Sequence, residues 1–382
     1  MTFRDVYAEL GVRHVLNAAT TFTALGGTTL PQEVVEAMAS AATSCVSMEE
    51  LHLAAGRRVA EITRNEAALV TSGAAAAICL AVLAAVTAGR PELIARLPDD
   101  ETLERRVVIH RAHRIPYDRA VELVGGHLVE VGNVIQTFEW ELHDALGRGA
   151  AAVLWVAGDH LPSTVLSLET TVRIAHEYSV PVIVDAAAQL PPVSNLWHFT
   201  RECGCDLVLF SGGKALRGPQ ASGVLLGRAD LVEAARLNAA PFQRLARAMK
   251  AGKEEVCGLW AALERYVALD HEKQARDWTA TVDSWVRDLS DISAIVLRRL
   301  DTNEAGQPVA RLEVDCVTAP RSRAVASRLW ENDPRIAVLE VSRYLYVSPD
   351  VMSEGDYDYV MQRLRGAIAA AVDEEEGGND VG

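Results

Sequence analysis

The chain has 382 residues, 49% of them apolar, and a formal net charge of −15 from 37 basic and 52 acidic side chains. That length and apolar content suffice for a large domain and a smaller one, each with its own core. The acidic balance argues against a nucleic-acid-binding surface, and the longest apolar stretch, residues 74–88, falls short of the roughly 20 residues a bilayer requires. No basic, apolar leader opens the chain, so a cytoplasmic protein is the expectation. Cysteines at 45, 79, 203, 205, 257 and 316 have no zinc-like spacing, and Cys203 and Cys205, one glycine apart, read as small buried residues.

In chain order, residues 1–65 read as an N-terminal arm and active-site loop segment, with Asn17, Thr20, Thr23 and the Gly26-Gly27 turn as its polar loop. A large domain over 66–250 begins with the apolar run Ala67-Ala68-Leu69-Val70. Thr71-Ser72-Gly73-Ala74 follows and opens an alanine-rich helix to about residue 88. Further strand-like runs lie at 107–110, 127–131, 151–156, 180–185, 206–210 and 222–226, with amphipathic helices at 117–124, 134–146 and 168–178 between them. This alternation predicts an α/β fold with a mainly parallel seven-stranded sheet, whose ligand loops gather at the carboxyl ends of the strands. A long helical stretch over 250–289 introduces a smaller α+β domain spanning 251–372. Its strands are expected at 294–297, 310–315, 336–341 and 344–347, and its helices at 321–330 and 354–372. The acidic, glycine-rich residues 373–382 are expected to be a disordered tail.

The chemistry is carried by Ser211-Gly212-Gly213-Lys214, whose lysine lies one strand further along the chain than the aspartate that closes Val182-Ile183-Val184-Asp185. Taken singly, an aspartate ending a strand or a Gly-Gly-Lys turn is ordinary in a doubly wound sheet. Together, and in this order, they suit pyridoxal 5'-phosphate (PLP). Lys214 is the Schiff-base lysine for the cofactor aldehyde, and Asp185 keeps the pyridine nitrogen protonated. The loop Thr71-Ser72-Gly73-Ala74 at a helix N-terminus suits the cofactor phosphate, to which Ser211 adds a hydroxyl.

These stretches resemble a family. The sequence is similar to fold-type I PLP enzymes of the group containing bacterial selenocysteine synthase and the D-glucosaminate-6-phosphate ammonia-lyases. The resemblance rests on Leu16-Asn17-Ala18-Ala19-Thr20 with Leu25-Gly26-Gly27, Val70-Thr71-Ser72-Gly73-Ala74, His113-Arg114 with Tyr117-Asp118-Arg119-Ala120, and the Asp185 and Lys214 segments. Arg247-Ala248-Met249-Lys250-Ala251-Gly252-Lys253-Glu254-Glu255 is the most specific of the matching stretches. The resemblance implies that His113, rather than His110 three positions earlier, stacks on the cofactor ring, with Ala187 and Gln189 on the opposite face. It also implies that Arg247 and Lys250, in a cluster with Arg244 and Lys253, serve a phosphate of cofactor or substrate. Asn17, Thr20, Thr23 and Gly27 become candidates for substrate binding, as do Arg217 and Arg343 for a substrate carboxylate, and no metal is implied.

The activity implied is a PLP-dependent α,β-elimination that deaminates a hydroxylated amino acid, as in D-glucosaminate-6-phosphate ammonia-lyase. The same residues would also serve a racemase, an aldolase or an aminotransferase. A selenocysteine synthase-like transferase acting on tRNA is the less favoured alternative, given the acidic charge and the short segment ahead of Asn17. A homodimer or higher homo-oligomer, with active sites at its interface, an amino-acid or amino-sugar-acid substrate, and no membrane partner complete the expectation.

Overall fold

The computed structural model describes residues 5–158 and 161–379, which fall into two compact units. One spans Leu30–Leu269, and the other joins the chain ahead of Leu30 to the chain from Asp270 onward. Strand β1 (Val15–Asn17) belongs to the smaller unit. The larger unit holds β2 (Ala67–Thr71), β3 (Arg106–His110), β4 (His127–Val131), β5 (Ala152–Val156), β6 (Val182–Asp185), β7 (Leu207–Ser211) and β8 (Gly223–Gly227). These seven make one sheet in the order β2-β8-β7-β6-β5-β3-β4, parallel throughout except for β8, which runs against both its neighbours.

The sheet is buried on both faces, and the period-two geometry of a strand sorts its residues between two cores. Val108, Val182, Val184, Val208, Phe210 and Val224 face a core that includes Val59, Leu142, Ile174 and Leu259 from the helices on that side. Val107, Ile109, Ile183, Leu207, Leu209 and Leu225 face the other. That second core is built on the helix Ala74–Thr87, in which every residue from Ala76 to Ala84 is buried, because the sheet and neighbouring helices surround it. A helix hydrophobic all round is stable only in such a setting.

The boundaries differ from expectation at several places: the strand expected over 336–341 is two strands of different sheets, Arg335–Ala337 and Leu339–Val341, and the helix expected over 134–146 begins only at Glu139. The arm expected over 1–65 is divided. Strand β1 pairs in parallel with Arg335–Ala337, and Ala18 exchanges backbone hydrogen bonds with Ala337 and Ser348, which ties the first segment to the smaller unit. Residues 32–42 and 48–63 are instead helices of the larger unit, packed against the helix Lys253–Ala268. The single helical stretch expected over 250–289 is two helices, Lys253–Ala268 and His271–Asp288, because Leu269 is extended and the Asp270 side chain accepts from the Lys273 N–H at 2.8 Å to start the second. The tail expected to fray from 373 is helical as far as Asn379, with Asp380–Gly382 outside the described residues. Glu375 accepts from Arg321 at 2.5 Å and Glu374 pairs with Arg328, both arginines lying on the helix Ala319–Glu331, so cross-helix charge pairing extends the order.

The smaller unit is a four-stranded antiparallel sheet, β12 (Leu339–Val341), β13 (Tyr344–Val347), β10 (Arg311–Asp315) and β9 (Val296–Leu300) in that order, with β11 (Arg335–Ala337) paired to β1. The helices His271–Asp288, Ala319–Glu331 and Tyr357–Asn379 cover its apolar face through Trp285, Leu329, Leu364 and Ile368. Among the described residues, no helix is long and apolar enough to cross a membrane.

Candidate active site

The larger sheet brings its chemical residues to one edge through strand register. Asp185, the last residue of β6, pairs with Val156 on one side and Leu209 on the other. Two residues further along, Ser211 and Thr71 both pair with Gly223, from opposite sides. The loop after β2, expected to take the cofactor phosphate, and the Lys214 loop after β7 therefore stand two strand spacings apart, roughly 10 Å. Gly223 lies between them, and a Cβ there would sit 2.6 Å from the Gly73 carbonyl carbon and 2.8 Å from the Ala74 nitrogen. Both are backbone atoms and cannot swing away. A Gly223→Ala variant is expected to lose about 1–3 kcal/mol of stability through overpacking, and to bind PLP at least about tenfold more weakly as the loop is pushed aside. Thermal unfolding and equilibrium dialysis measure the two effects, and unchanged PLP affinity would refute this role for Gly223.

The helix Ala74–Thr87 begins at Gly73, whose φ of 139° favours glycine and which gives no side-chain cap. Ser72 is therefore not the ordinary N-cap that its position suggests. Its hydroxyl donates instead to the Met249 carbonyl at 3.0 Å, while Thr71 donates to the Gly73 carbonyl at 2.9 Å. The Ser72 bond fastens the 245–249 turn beside the helix N-terminus. Arg247 and Lys250 are exposed in that segment and make no ion pair among the described residues. Lys253, by contrast, is paired with Glu254.

Lys214 sits in a tight loop closed by three backbone bonds: Gly212 N–H to Ser222 O at 2.9 Å, Arg217 N–H to Lys214 O at 2.8 Å, and Gly218 N–H to Gly212 O at 2.8 Å. Both glycines before the lysine are required by close approach, since a Cβ on Gly212 would meet the Ser222 hydroxyl at 2.0 Å and one on Gly213 the Gln220 Cα at 2.7 Å. Arg217 closes the turn in the left-handed region, at φ 53°.

Asp185 is 5% exposed, and burial pushes its carboxyl above the ordinary value. The Ala187 N–H, which donates to it at 3.0 Å, and the nearby Lys214 charge act in the opposite direction. His113 lies just past β3 and is nearly buried, its Nδ1 accepting from the Val156 N–H at 3.2 Å. His110 is fully buried, and desolvation followed by the proximity of His113 lowers its pKa to about 3.

The expected substrate residues are divided between the units. Arg217 is in the larger one. In the smaller one, Asn17 is spent on its own loop: its amide donates to Thr20 O at 2.8 Å and Gly27 O at 3.2 Å, and its Oδ1 accepts from the Ala19 N–H at 3.0 Å. Thr20 donates to Glu304 at 2.5 Å, Gly27 is buried with a φ of 76°, and Thr23 is exposed on a short 3-10 turn. Arg343 is held within its unit by Asp315 at 3.0 Å and the Tyr344 hydroxyl at 3.0 Å.

Sequence reasoning missed Gly223, the Met249 carbonyl, and the threonines at 137 and 171 that hold His110. Only Gly223 carried a local signal, a glycine opening an apolar run, which marks close backbone approach.

This geometry fits PLP. Asp185 is a buried carboxylate whose ionised form is costly unless a cation meets it, which the pyridinium nitrogen would supply. Gly73 and Gly223 keep the loop after β2 free of side chains, with Ser72 within it and Ser211 in the same strand row as Thr71.

Comparison with known proteins agrees. Residues 15–319 match the family model described as SelA: L-seryl-tRNA selenium transferase. The chain is 31% identical, over 97% of its length and 99% of the relative's, to the D-glucosaminate-6-phosphate ammonia lyase of Salmonella typhimurium (strain 14028s / SGSC 2262). It is 34% identical to a 5'-C-glycyluridine monooxygenase-decarboxylase of a Streptomyces species, over 94% of this chain and 90% of that one. A solved structure of D-glucosaminate-6-phosphate ammonia-lyase superposes with a TM-score of 0.82 at 30% identity, covering 97% of this chain and all of the other. With the fold, the Lys214 and Asp185 strand ends and the full-length match in agreement, the chain belongs to the SelA family, and its cofactor is pyridoxal 5'-phosphate.

Proposed function

We propose that the protein is a lyase that removes ammonia from a hydroxylated amino acid by α,β-elimination, with D-glucosaminate 6-phosphate or a close analogue as substrate. The observation that carries this is the full-length similarity to the Salmonella ammonia lyase, on a chain that keeps a lysine and a buried aspartate at neighbouring strand ends. PLP, when bound, withdraws the electron pair released as the substrate Cα–H bond breaks. Lys214 holds the cofactor, then with its freed amine takes the α-proton and delivers a proton to the departing β-hydroxyl, so that water leaves. Hydrolysis of the resulting enamine's imine tautomer returns that water and releases ammonia and a keto acid. Asp185 keeps a proton on the pyridine nitrogen, because a carboxylate ionised in so buried a place gains most from a cation directly against it.

In this proposal His113 covers one face of the cofactor ring, and Ala187 and Gln189 the other. Thr71, Ser72, Gly73, Ala74 and Ser211 receive the cofactor phosphate, with Arg247 and Lys250 serving that phosphate or the substrate's. Asn17, Thr20, Thr23 and Gly27 shape the substrate loop, and Arg217 or Arg343 takes the substrate carboxylate. The protein works in the cytoplasm as a homodimer or larger homo-oligomer. Self-association is supported by the large apolar side chains of Tyr117, Leu123, Val134, Ile135 and Trp140, all of them mostly exposed.

The test is to load the purified protein with PLP, supply D-glucosaminate 6-phosphate, and follow ammonia and keto acid together with oxygen uptake. Equimolar ammonia and keto acid, without oxygen uptake, is the expected result. The similarity to the Streptomyces monooxygenase-decarboxylase makes the contrary outcome definite: oxygen consumed with release of carbon dioxide would replace elimination by oxidative decarboxylation.

A further inference from the structure

His110 and His113 are three residues apart at the end of β3, yet the fold treats them differently. His110 is sealed in the core and held at both ring nitrogens, Nδ1 lying 3.2 Å from the Thr137 hydroxyl and Nε2 3.3 Å from the Thr171 hydroxyl. A neutral imidazole has one N–H and one lone pair. Two hydroxyls satisfy it fully, one accepting and one donating. The low pKa of about 3 agrees with a ring that stays uncharged through the physiological range.

His113 is held by different means. The Val156 N–H points at Nδ1 from 3.2 Å, and a backbone donor cannot be turned away or deprotonated. Nδ1 must then carry the lone pair, which leaves the ring proton on Nε2. Two rings meet His113 edge to face, His110 at 5.1 Å and 75° and Trp155 at 5.1 Å and 83°. The ring is fixed in plane by packing and in tautomer by the backbone. Val156 is also the cross-strand partner of Asp185, so the same residue sets the height of both groups.

We propose that His110 is a positioning residue, fixing the plane of His113 so that His113 meets the cofactor as an oriented, neutral ring with its single N–H at Nε2. Thr137 and Thr171 act through His110 in the same way. The inference rests on the proposal that His113 covers the cofactor. It adds that His113 offers no proton at Nδ1, and that its orientation is determined by a residue that touches neither cofactor nor substrate.

The test uses PLP-loaded protein with 15N-labelled histidine, the His113 signals being assigned from a His113→Asn variant. Wild type is expected to show His113 as the Nε2–H tautomer. In His110→Phe, and in Thr137→Val in case the first variant folds poorly, His113 should show a tautomer mixture or broadened signals while bound PLP remains stoichiometric. kcat is expected to fall by about 10-fold to 100-fold, the scale of a misplaced group, with KM within about twofold. A wild-type His113 protonated at Nδ1, or variants with unchanged His113 signals and unchanged kcat, would overturn the proposal. If wild type releases no ammonia from any hydroxylated amino acid, the elimination fails on its own account, and the nitrogen spectra and PLP stoichiometry still decide the positioning role.

Discussion

Lys214→Ala is expected to abolish the covalent cofactor absorbance and to lower ammonia release by at least about 10³-fold, since one side chain supplies both the cofactor attachment and the proton transfer. The loop itself should survive, since the backbone bonds that shape it, Gly212 N–H to Ser222 O, Arg217 N–H to Lys214 O and Gly218 N–H to Gly212 O, do not use the lysine side chain. The unfolding temperature of the cofactor-free variant at pH 7 should lie modestly below that of the cofactor-free wild type, because the Lys214 charge also eases the ionisation of buried Asp185. Absorbance of the loaded protein and an ammonia assay settle the matter together. Turnover within tenfold of wild type would remove Lys214 from the chemistry.

Asp185→Asn is the second large effect, and it changes sign with the cofactor. Burial holds the folded pKa of Asp185 above the ordinary value of 3.8. The unfolded chain ionises first as pH rises, so the ionised group costs the cofactor-free fold stability. This cost is absent below the unfolded pKa, grows as pH rises toward the folded pKa, and is fully present above it. Asparagine carries no such cost and still accepts from the Ala187 N–H. Cofactor-free Asp185→Asn is thus expected to be at least as stable as wild type at pH 7, its advantage vanishing toward pH 3. With PLP bound the order reverses, because the carboxylate then has a cation to meet, and kcat of the variant should fall by about 10²–10⁴-fold. Thermal unfolding with and without PLP across that pH range measures the crossover. A cofactor-free variant less stable than wild type at pH 7 would show that the ionised carboxylate is not costly there.

How far the site was legible depends on how local its residues are. Asp185 and Lys214 stood out because the first ends an apolar strand and the second lies in the loop just past the end of the next, and a parallel sheet must place such ends along one edge. Gly212 and Gly213 were visible as a turn, but the reason for them was not, since the Ser222 hydroxyl and the Gln220 Cα that exclude a side chain lie further along the chain, beyond the turn. Ser72 stood out only as part of a loop at a helix N-terminus, and the partner of its hydroxyl is a carbonyl 177 residues away. The helix over 32–42 was read as part of an arm because its packing partner, the helix Lys253–Ala268, lies far along the chain.

By itself the sequence determined the seven-stranded α/β core, the place of its strands and the identity of the cofactor. Each of these follows from short-range periodicity or from what a residue must do at a strand end. The tertiary structure alone decided that Thr71, Gly223 and Ser211 share one row, that the chain ahead of Leu30 joins the smaller unit through β1, and that His110 and His113 divide into a buried support and a ring beside Asp185's partner. Strand register and hydrogen bonds between distant segments set these outcomes. Such pairings form only when chain far apart in sequence is brought together, and no window of neighbouring residues encodes the choice.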